Sequence, residues 1–136
     1  MVHEWALAEA VVKAALEISK REGAFRVKEV VVTVGELQQV DLEVFKEAYN
    51  CMSRGTILEG SQLRIEVEEA QFECRICGRT WSFREILKSL TEEVQEAIHF
   101  MPEAIYAFAR CPACGSVDFD IIKGRGIWIK SIKVTK

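Results

Sequence analysis

The sequence predicts an α+β protein: a small sheet packed by two helices, plus an inserted four-cysteine zinc-knuckle domain similar to a zinc ribbon. Three observations predict this class: helical periodicity in two segments, β-branched or alternating segments after each of them, and two CxxC pairs late in the chain. The 136 residues are 49% hydrophobic and 29% charged, as in a soluble globular protein. Such a length suffices for one domain, or for two small ones if a metal stabilises the smaller.

The α+β core is predicted from the spacing of apolar residues. Two segments have apolar residues at helical intervals, and two others are β-branched or alternate between apolar and charged residues. In chain order, the predicted elements are a helix over 3–22, a strand over 26–37 that breaks at Gly35, a helix that follows the N-cap candidate Asp41 and closes before Gly55, and a half-buried strand over 62–70.

A zinc module is predicted to interrupt this core, so that the chain leaves one domain and later returns to it. The predicted boundaries are 1–69 with 118–136 for the α+β domain and 70–117 for a zinc-binding domain with a helical insert. The inserted segment is too small and too charged to be held together by burial alone. A structural zinc ion supplies folding free energy to such a unit, on the order of 10 kcal/mol.

The segment between the two cysteine pairs is predicted to be helical. Ser82 and Glu85 have the spacing of a capping box at its start. Apolar residues then follow at helical intervals, at Ile86, Leu87, Leu90, Val94 and Ile98. After the second cysteine pair, two further strands with a turn near Gly124 and Gly126 predict a hairpin.

Four of the five cysteines form two identically spaced pairs, each followed at once by a glycine. A two-residue spacer lets both thiolates of a tight turn bind one ion, and the glycine permits a backbone that directs N–H groups at the sulfurs. In a reducing compartment this pattern favours a structural zinc site over disulfides, with a rubredoxin-type iron site as the alternative. The predicted ligands are Cys74, Cys77, Cys111 and Cys114. Cys51, which has no paired cysteine, is interpreted as a small buried hydrophobe.

One of the two histidines, His3, stands near the amino terminus at the start of the first helix. The amine of Met1, the amides of Val2 and His3 and the His3 imidazole can surround one ion with four nitrogens in a plane. Square-planar nitrogen coordination is typical of Ni(II) or Cu(II). If Met1 is removed, three donors remain and Glu4 or another group supplies the fourth. The alternative is that His3 is exposed at a frayed terminus and that Glu4 only favours the helix dipole.

The ordered set of motifs resembles the HypA family of nickel-insertion accessory proteins for [NiFe]-hydrogenase. The resemblance covers essentially the whole chain. The matching stretches are HEWALAEAVV (3–12), VTVGELQQV (32–40), FECRICG (72–78), RCPACGS (110–116) and GRGIWIKSIKV (124–134).

The resemblance implies roles for individual residues. His3 and Glu4 match the family's nickel-binding His-Glu pair, and the four paired cysteines match its zinc ligands. Val2 is an insertion, because the family usually has its histidine directly after the initiator methionine. The long segment between the cysteine pairs resembles an archaeal-type variant, in which His99 would be an additional nickel ligand; the alternative is that His99 is merely partly buried.

The implied function is delivery of nickel and not catalysis. By resemblance, the expected partners are a nucleotide-hydrolysing nickel-maturation protein of the HypB type and the [NiFe]-hydrogenase large-subunit precursor. We expect no nucleic-acid or membrane partner and a cytoplasmic location, since the net charge is −3 and no leader or membrane span is evident. An enzyme with an open zinc is disfavoured, because four cysteine ligands leave no position for water.

The alternative from a different class is a zinc-ribbon module that binds nucleic acid or takes part in transcription. Its support is a set of basic residues near the knuckles and the C-terminal strands: Arg75, Arg79, Arg110, Lys123, Arg125, Lys130, Lys133 and Lys136. The acidic balance of the whole chain argues against it, and alternating basic residues are typical of a solvated sheet face.

Overall fold

The computed structural model of the chain describes residues 2–136, apart from the side chain of Val2. It confirms the α+β class. In chain order the elements are α1 (Val2–Arg21), β1 (Arg26–Gly35), a first 3₁₀ turn (Glu36–Gln38), α2 (Leu42–Ser53), β2 (Gln62–Glu68), β3 (Gln71–Cys74), β4 (Thr80–Ser82), α3 (Phe83–Leu87), α4 (Glu92–Phe100), a second 3₁₀ turn (Pro102–Ala104), α5 (Ile105–Phe108), β5 (Phe119–Lys123) and β6 (Ile127–Thr135).

These strands form two three-stranded sheets, with the orders β2-β1-β6 and β4-β3-β5. In the second sheet, β3 pairs antiparallel with both β4 and β5. The predicted hairpin of the last two strands is therefore wrong, because β5 and β6 belong to different sheets. The backbone N–H groups of Gly124 and Gly126 donate instead to the side chains of Glu68 and Gln38, at 2.8 and 3.2 Å.

The chain divides into two compact units. The first unit comprises the residues up to Thr33, together with Val40–Glu66 and Trp128–Lys136. The second unit comprises Val34–Gln39 and Val67–Ile127. The functional boundaries predicted at 69/70 and 117/118 remain a prediction.

The first unit contains α1, α2 and most of the sheet β2-β1-β6, and α1 packs against α2. Asp41 caps α2 as predicted: its carboxylate accepts the backbone N–H groups of Glu43 and Val44 at 3.1 and 3.2 Å. The unit is built around apolar side chains, as its helical and strand periodicity predicted. Its buried hydrophobic residues include Ala8, Val11, Val12, Ala15, Val27, Val30, Val32, Phe45, Ala48, Tyr49 and Leu58.

The second unit has an aromatic core that includes two of the paired cysteines. The rings of Phe72, Trp81 and Phe119 lie 5.4–5.7 Å apart between centroids, in tilted and edge-to-face arrangements. Cys74 and Cys111 are buried in the same cluster. The sheet that holds these rings was not predicted, because β3 and β4 are only four and three residues long.

The helical insert of the second unit is divided into separate helices. The capping box of Ser82 and Glu85 is present at the start of α3, as predicted. The apolar periodicity continues past Leu87, but α3 ends there, and the Thr91 side chain caps α4 by accepting the Val94 N–H at 3.2 Å. Periodicity alone does not reveal such a break, because a short turn between two helices can keep the apolar spacing.

Candidate metal centres

The four paired cysteines converge in the second unit. Their sulfur atoms all lie within 4.8 Å of one another. The Sγ atoms of Cys74 and Cys114 are 3.6 Å apart, as are those of Cys77 and Cys111. Each pair contributes one buried residue, Cys74 or Cys111, and one exposed residue. Among residues 2–136, this is the one group of three or more histidine, cysteine or acidic residues close enough to hold an ion.

Each CxxC turn directs backbone N–H groups at its first sulfur. The amides of Ile76 and Cys77 donate to the Cys74 Sγ at 3.4 and 3.5 Å, and the amide of Ala113 donates to the Cys111 Sγ at 3.4 Å. The glycine after each pair has a positive φ, 77° and 75°, as the sequence predicted. These left-handed positions close the turns, since each glycine N–H donates to the carbonyl of the pair's first cysteine.

The thiols of this cluster have unequal acidities. Burial opposes ionisation of Cys111, but hydrogen bonds from the Cys114 and Ala113 amides and from neighbouring thiols outweigh it and lower its pKa to about 6. The Cys77 amide is the largest of the causes that lower the pKa of Cys74. The Ser116 amide favours the thiolate of Cys114, yet the adjacent sulfurs raise its pKa to about 12. The turns thus stabilise thiolates, but four adjacent sulfurs ionise together only around a cation. This donor set fits a tetrahedral zinc ion.

Arg75 joins the first CxxC turn to the start of β5. Its guanidinium binds the carboxylates of Asp118, at 3.0 Å, and Asp120. These ion pairs raise the pKa of Arg75 and lower that of Asp120. The Arg75 amide also donates to the Asp118 carbonyl at 3.0 Å. Sequence reasoning missed this contact, since nothing links position 75 to positions 118 and 120 before the chain is folded.

Several other basic residues that supported a nucleic-acid module are also paired with carboxylates. In the first unit, Lys130 binds Glu66 at 2.8 Å and Lys133 lies 3.6 Å from Glu29. In the second unit, Arg79 binds Glu85 at 2.9 Å. Alternation of basic residues with nearby acids makes a mixed surface, whereas a nucleic-acid interface needs an excess of positive charge.

His3 and Glu4 lie in the first turn of α1, in the first unit. His3 is half-buried and its Nε2 atom is buried. Glu4 is 3% exposed, and its Oε2 atom accepts the backbone N–H of Asp41 at 3.0 Å. Met1, a predicted nickel donor, lies outside the described residues, and of Val2 only the helical backbone is described. The link from Glu4 to the N-cap of α2 was not predicted, since neither residue identifies the other.

His99 lies in the last turn of α4, in the second unit, and is 8% exposed. Its Nδ1 atom is 2.5 Å from the backbone carbonyl oxygen of Gln38. The ring of Phe100 meets it edge-on, with 4.9 Å between centroids. The histidine is therefore buried and hydrogen-bonded, and Gln38 is the partner that sequence reasoning missed.

No helix within residues 2–136 is both long enough and apolar enough to cross a bilayer.

A thiolate cluster on two CxxC turns, in a chain with an α+β fold, defines a small metal-binding protein. Comparisons with known proteins then identify the class. The family described as "Hydrogenase/urease nickel incorporation, metallochaperone, hypA" matches residues 2–134. The chain belongs to this HypA family, as the motifs predicted.

Curated relatives agree over nearly the full length. "Hydrogenase maturation factor HypA" of Pyrococcus furiosus is 48% identical over 135 residues, which are 99% of this chain and 97% of the relative. The protein of the same name from Thermococcus gammatolerans is 47% identical over the same shares. That from Ignicoccus hospitalis is 34% identical, covering 90% of this chain and 89% of the relative.

Two solved structures show the same fold. The solution structure of the Ni metallochaperone HypA from Helicobacter pylori has a TM-score of 0.61 and 18% identity, covering 96% of each chain. A second structure, "Solution structure of HypA protein", has a TM-score of 0.63 and 18% identity, covering 99% of this chain and 98% of the other.

Proposed function

We propose that this protein carries Ni(II) and delivers it during maturation of [NiFe]-hydrogenase, with nickel bound at the amino-terminal segment and a separate structural zinc bound by the four cysteines. The observation that carries the proposal is the family match over residues 2–134, which spans both His3-Glu4 and the cysteine pairs. The proposed partners are a HypB-type nucleotide-hydrolysing maturation protein and the hydrogenase large-subunit precursor. The proposed place of action is the cytoplasm, and the role includes no catalysis.

The zinc part of the proposal is supported by the sulfur geometry. Four sulfurs within 4.8 Å of one another can surround a single ion. Zinc bound by four thiolates is a closed site without an open position for a client ligand, so it suits a structural role. The proposed ligands are Cys74, Cys77, Cys111 and Cys114.

The nickel part of the proposal is supported by the position of His3 at the start of α1. The first four N–H groups of a helix have no intrahelical acceptor, so a metal can displace the amide protons of Val2 and His3 into solvent without breaking the helix ladder. In protein that begins with Met1, the terminal amine, these two amides and the His3 imidazole supply four nitrogens. This set favours square-planar Ni(II), which remains open on both axial faces for transfer to a client.

Glu4 and His99 are proposed as supplementary ligands. Glu4, whose Oε2 accepts the Asp41 N–H, or another group is proposed as the fourth donor when Met1 is removed and three donors remain. His99 is proposed as a further ligand, through its imidazole. Its Nδ1 contacts a backbone carbonyl, which is the usual arrangement of a metal-binding histidine.

Metal analysis of the pure protein, before and after addition of Ni(II), tests the proposal. We expect about one zinc per chain before addition and about one further nickel after it, in a diamagnetic complex that loses its visible absorption on acidification as the amine and amides take up protons. His3→Ala should abolish tight nickel binding and retain zinc. Acetylation of the Met1 amine should weaken nickel binding nearly as much.

Octahedral, paramagnetic nickel that survives acetylation would contradict the planar amine chelate. Lys13→Ala is a matched control for His3→Ala, because Lys13 is exposed on the same helix and its side chain pairs with Glu9 at 3.3 Å. Nickel binding should be unchanged in this variant.

A further inference from the structure

The contact between His99 and Gln38 determines which ring nitrogen can bind a metal. The two atoms involved, the His99 Nδ1 and the Gln38 carbonyl oxygen, are 2.5 Å apart and belong to buried residues. A carbonyl oxygen can only accept a hydrogen bond, so Nδ1 must carry the proton. In the neutral ring the lone pair then lies on Nε2. The nitrogen that can become a ligand is therefore Nε2.

The carbonyl of Gln38 is held by a network of hydrogen bonds around the first 3₁₀ turn, Glu36–Gln38. The side chain of Gln38 accepts the Gly126 N–H at 3.2 Å, so both the carbonyl and the side chain of this residue are bound. The flanking bonds are Gly35 N–H to the Gly126 carbonyl at 2.7 Å, Leu37 N–H to the Gly124 carbonyl at 2.9 Å, Gln39 N–H to the Glu36 carbonyl at 3.1 Å, and Ala70 N–H to the Glu36 carboxylate at 2.8 Å.

Close backbone packing adds to this rigidity. A Cβ atom built on Gly35 would lie 2.4 Å from the backbone of Gly124, so only glycine permits this approach. Gln39, which follows the turn, is the one described non-glycine residue with a positive φ, at 46°. A left-handed glutamine persists only where the surrounding contacts hold it.

The helix that carries His99 is held against the same turn. Leu37 of the turn and Ile98 of α4 are both fully buried in the core of the second unit. The imidazole and its acceptor therefore belong to two elements that share one core, and the ring orientation is set from both sides.

We infer that Gln38 is a positioning residue for nickel: its carbonyl selects the Nδ1–H form of His99, its side-chain bond to Gly126 fixes that carbonyl, and Nε2 is thereby the nitrogen offered to the metal. This inference rests on the proposed role of His99 as a nickel ligand. Hydrogen bonds from the second ring nitrogen commonly fix the tautomer and the orientation of metal-binding histidines, and their loss costs about 10–100-fold in metal affinity.

The tautomer can be measured without nickel. Long-range ¹H–¹⁵N NMR correlations of ¹⁵N-labelled, zinc-loaded full chain, recorded at a pH about two units above the ordinary histidine pKa of ~6.5, distinguish the two neutral forms. We expect the pattern of a ring protonated at Nδ1. A ring protonated at Nε2 would overturn the inference, because Nε2 would then have no lone pair for a metal.

Two substitutions of His99 separate the roles of its two nitrogens. In His99→Asn, the amide N–H₂ takes the place of Nδ1–H and keeps the bond to Gln38, whereas the Nε2 position is lost. In His99→Gln, a polar atom takes the place of Nε2 and the bond to Gln38 is lost. We expect His99→Asn to melt near the wild-type temperature with weakened nickel binding, and His99→Gln to melt roughly 4 °C lower. The reverse order of melting temperatures would contradict the assignment.

Variants of Gln38 test the positioning role itself. Gln38→Ala removes the bond to Gly126, and we expect a mixture of His99 tautomers and about 10-fold weaker nickel binding, at the low end of the range for such partners. Gln38→Glu retains an acceptor oxygen and should behave like the wild type. Gln95→Ala is a matched control, because Gln95 lies on α4 and donates to the Leu90 carbonyl at 3.2 Å, away from the turn.

The outcomes distinguish this inference from the proposed function. If Gln38→Ala leaves both the tautomer and nickel affinity unchanged, Gln38 is not a positioning residue. If nickel affinity is unchanged in His99→Asn, the positioning role fails while nickel binding by His3 stands. If the wild type binds no nickel, the proposed function fails, whatever the His99 tautomer is.

Discussion

The two compact units differ in what fills their cores. In the first unit the buried hydrophobic side chains lie mainly on α1, β1 and α2, and their burial depends only on exclusion from water. In the second unit, the buried cluster contains Cys74 and Cys111 beside the rings of Phe72, Trp81 and Phe119. Two of the four proposed zinc ligands are therefore part of the packed core of the second unit. Loss of metal should disrupt the second unit, and loss of packing there should weaken metal binding.

The largest expected effect tests this difference directly. Cys111→Ser should release zinc and unfold the segment from about 70 to 117, because zinc supplies on the order of 10 kcal/mol to such a unit, while α1 keeps its structure. Metal analysis measures the zinc content. Hydrogen exchange of backbone amides measures the unfolding of the segment from about 70 to 117 and the protection of α1. Equal loss of exchange protection in α1 would show that the units do not respond separately.

Cys51→Ala is the matched control for this experiment. Cys51 is a half-buried cysteine of α2, in the first unit. The substitution should cost less than about 1.5 kcal/mol and leave both metals bound. Loss of zinc from this variant would mean that the four-cysteine assignment is wrong.

A pair of aromatic substitutions gives the next largest effect. Phe72→Ala and Phe45→Ala each remove a fully buried ring and should each cost about 3–5 kcal/mol. Phe72 packs against Trp81 in the core that contains two of the proposed zinc ligands, so Phe72→Ala should also weaken zinc binding. Phe45→Ala should destabilise the first unit and leave zinc affinity unchanged. Competition with a chromophoric zinc chelator measures this affinity, and equal affinities in the two variants would refute the coupling.

A smaller effect concerns Glu4, the buried carboxylate of the first unit. Glu4→Ala leaves the Asp41 N–H without its acceptor, which should cost about 1–3 kcal/mol. Glu4→Gln keeps an acceptor oxygen and should retain most of the stability. Urea unfolding followed by a probe in α1 measures the difference. Neither variant should release zinc, and if Glu4→Ala unfolds at the same urea concentration as the wild type, the bond to Asp41 is not important for the first unit.

The smallest effect is a pH dependence at the surface of the first unit. The hydrogen bond from Lys130 is the largest cause that lowers the pKa of Glu66. Since the folded-state pKa lies below that of the unfolded chain, this pair contributes stability above the unfolded pKa, and the contribution is lost as the pH falls through the folded pKa. In Lys130→Ala, a ¹³C NMR titration of the Glu66 carboxyl should move to higher pH. An unchanged titration would mean that the pair does not form in solution.

The features that the sequence predicted correctly depend on residues close together in the chain. The α1 helix, the Asp41 cap, the capping box at Ser82 and the glycine-closed CxxC turns each involve neighbours within about one or two helical turns, so their geometry follows from local backbone preferences. The class of the fold and the cysteine set could be predicted for this reason. The family resemblance rested on the same motifs, taken in order.

Tertiary structure alone decided the contacts between residues that are far apart in sequence. The acceptor of the Asp41 N–H is Glu4, 37 residues away, and that of the His99 ring is the carbonyl of Gln38, 61 residues away. The last two strands looked like a hairpin because a glycine turn joins them, but β5 pairs with β3 and β6 belongs to the other sheet. A strand has unsatisfied N–H and C=O groups along both edges, and local sequence does not specify which distant strand will bind them. That choice depends on which pairing buries the apolar faces of the whole chain. The sequence therefore determined the first helix, the caps and the cysteine pairs, and only the fold determined which distant residues and strands they contact.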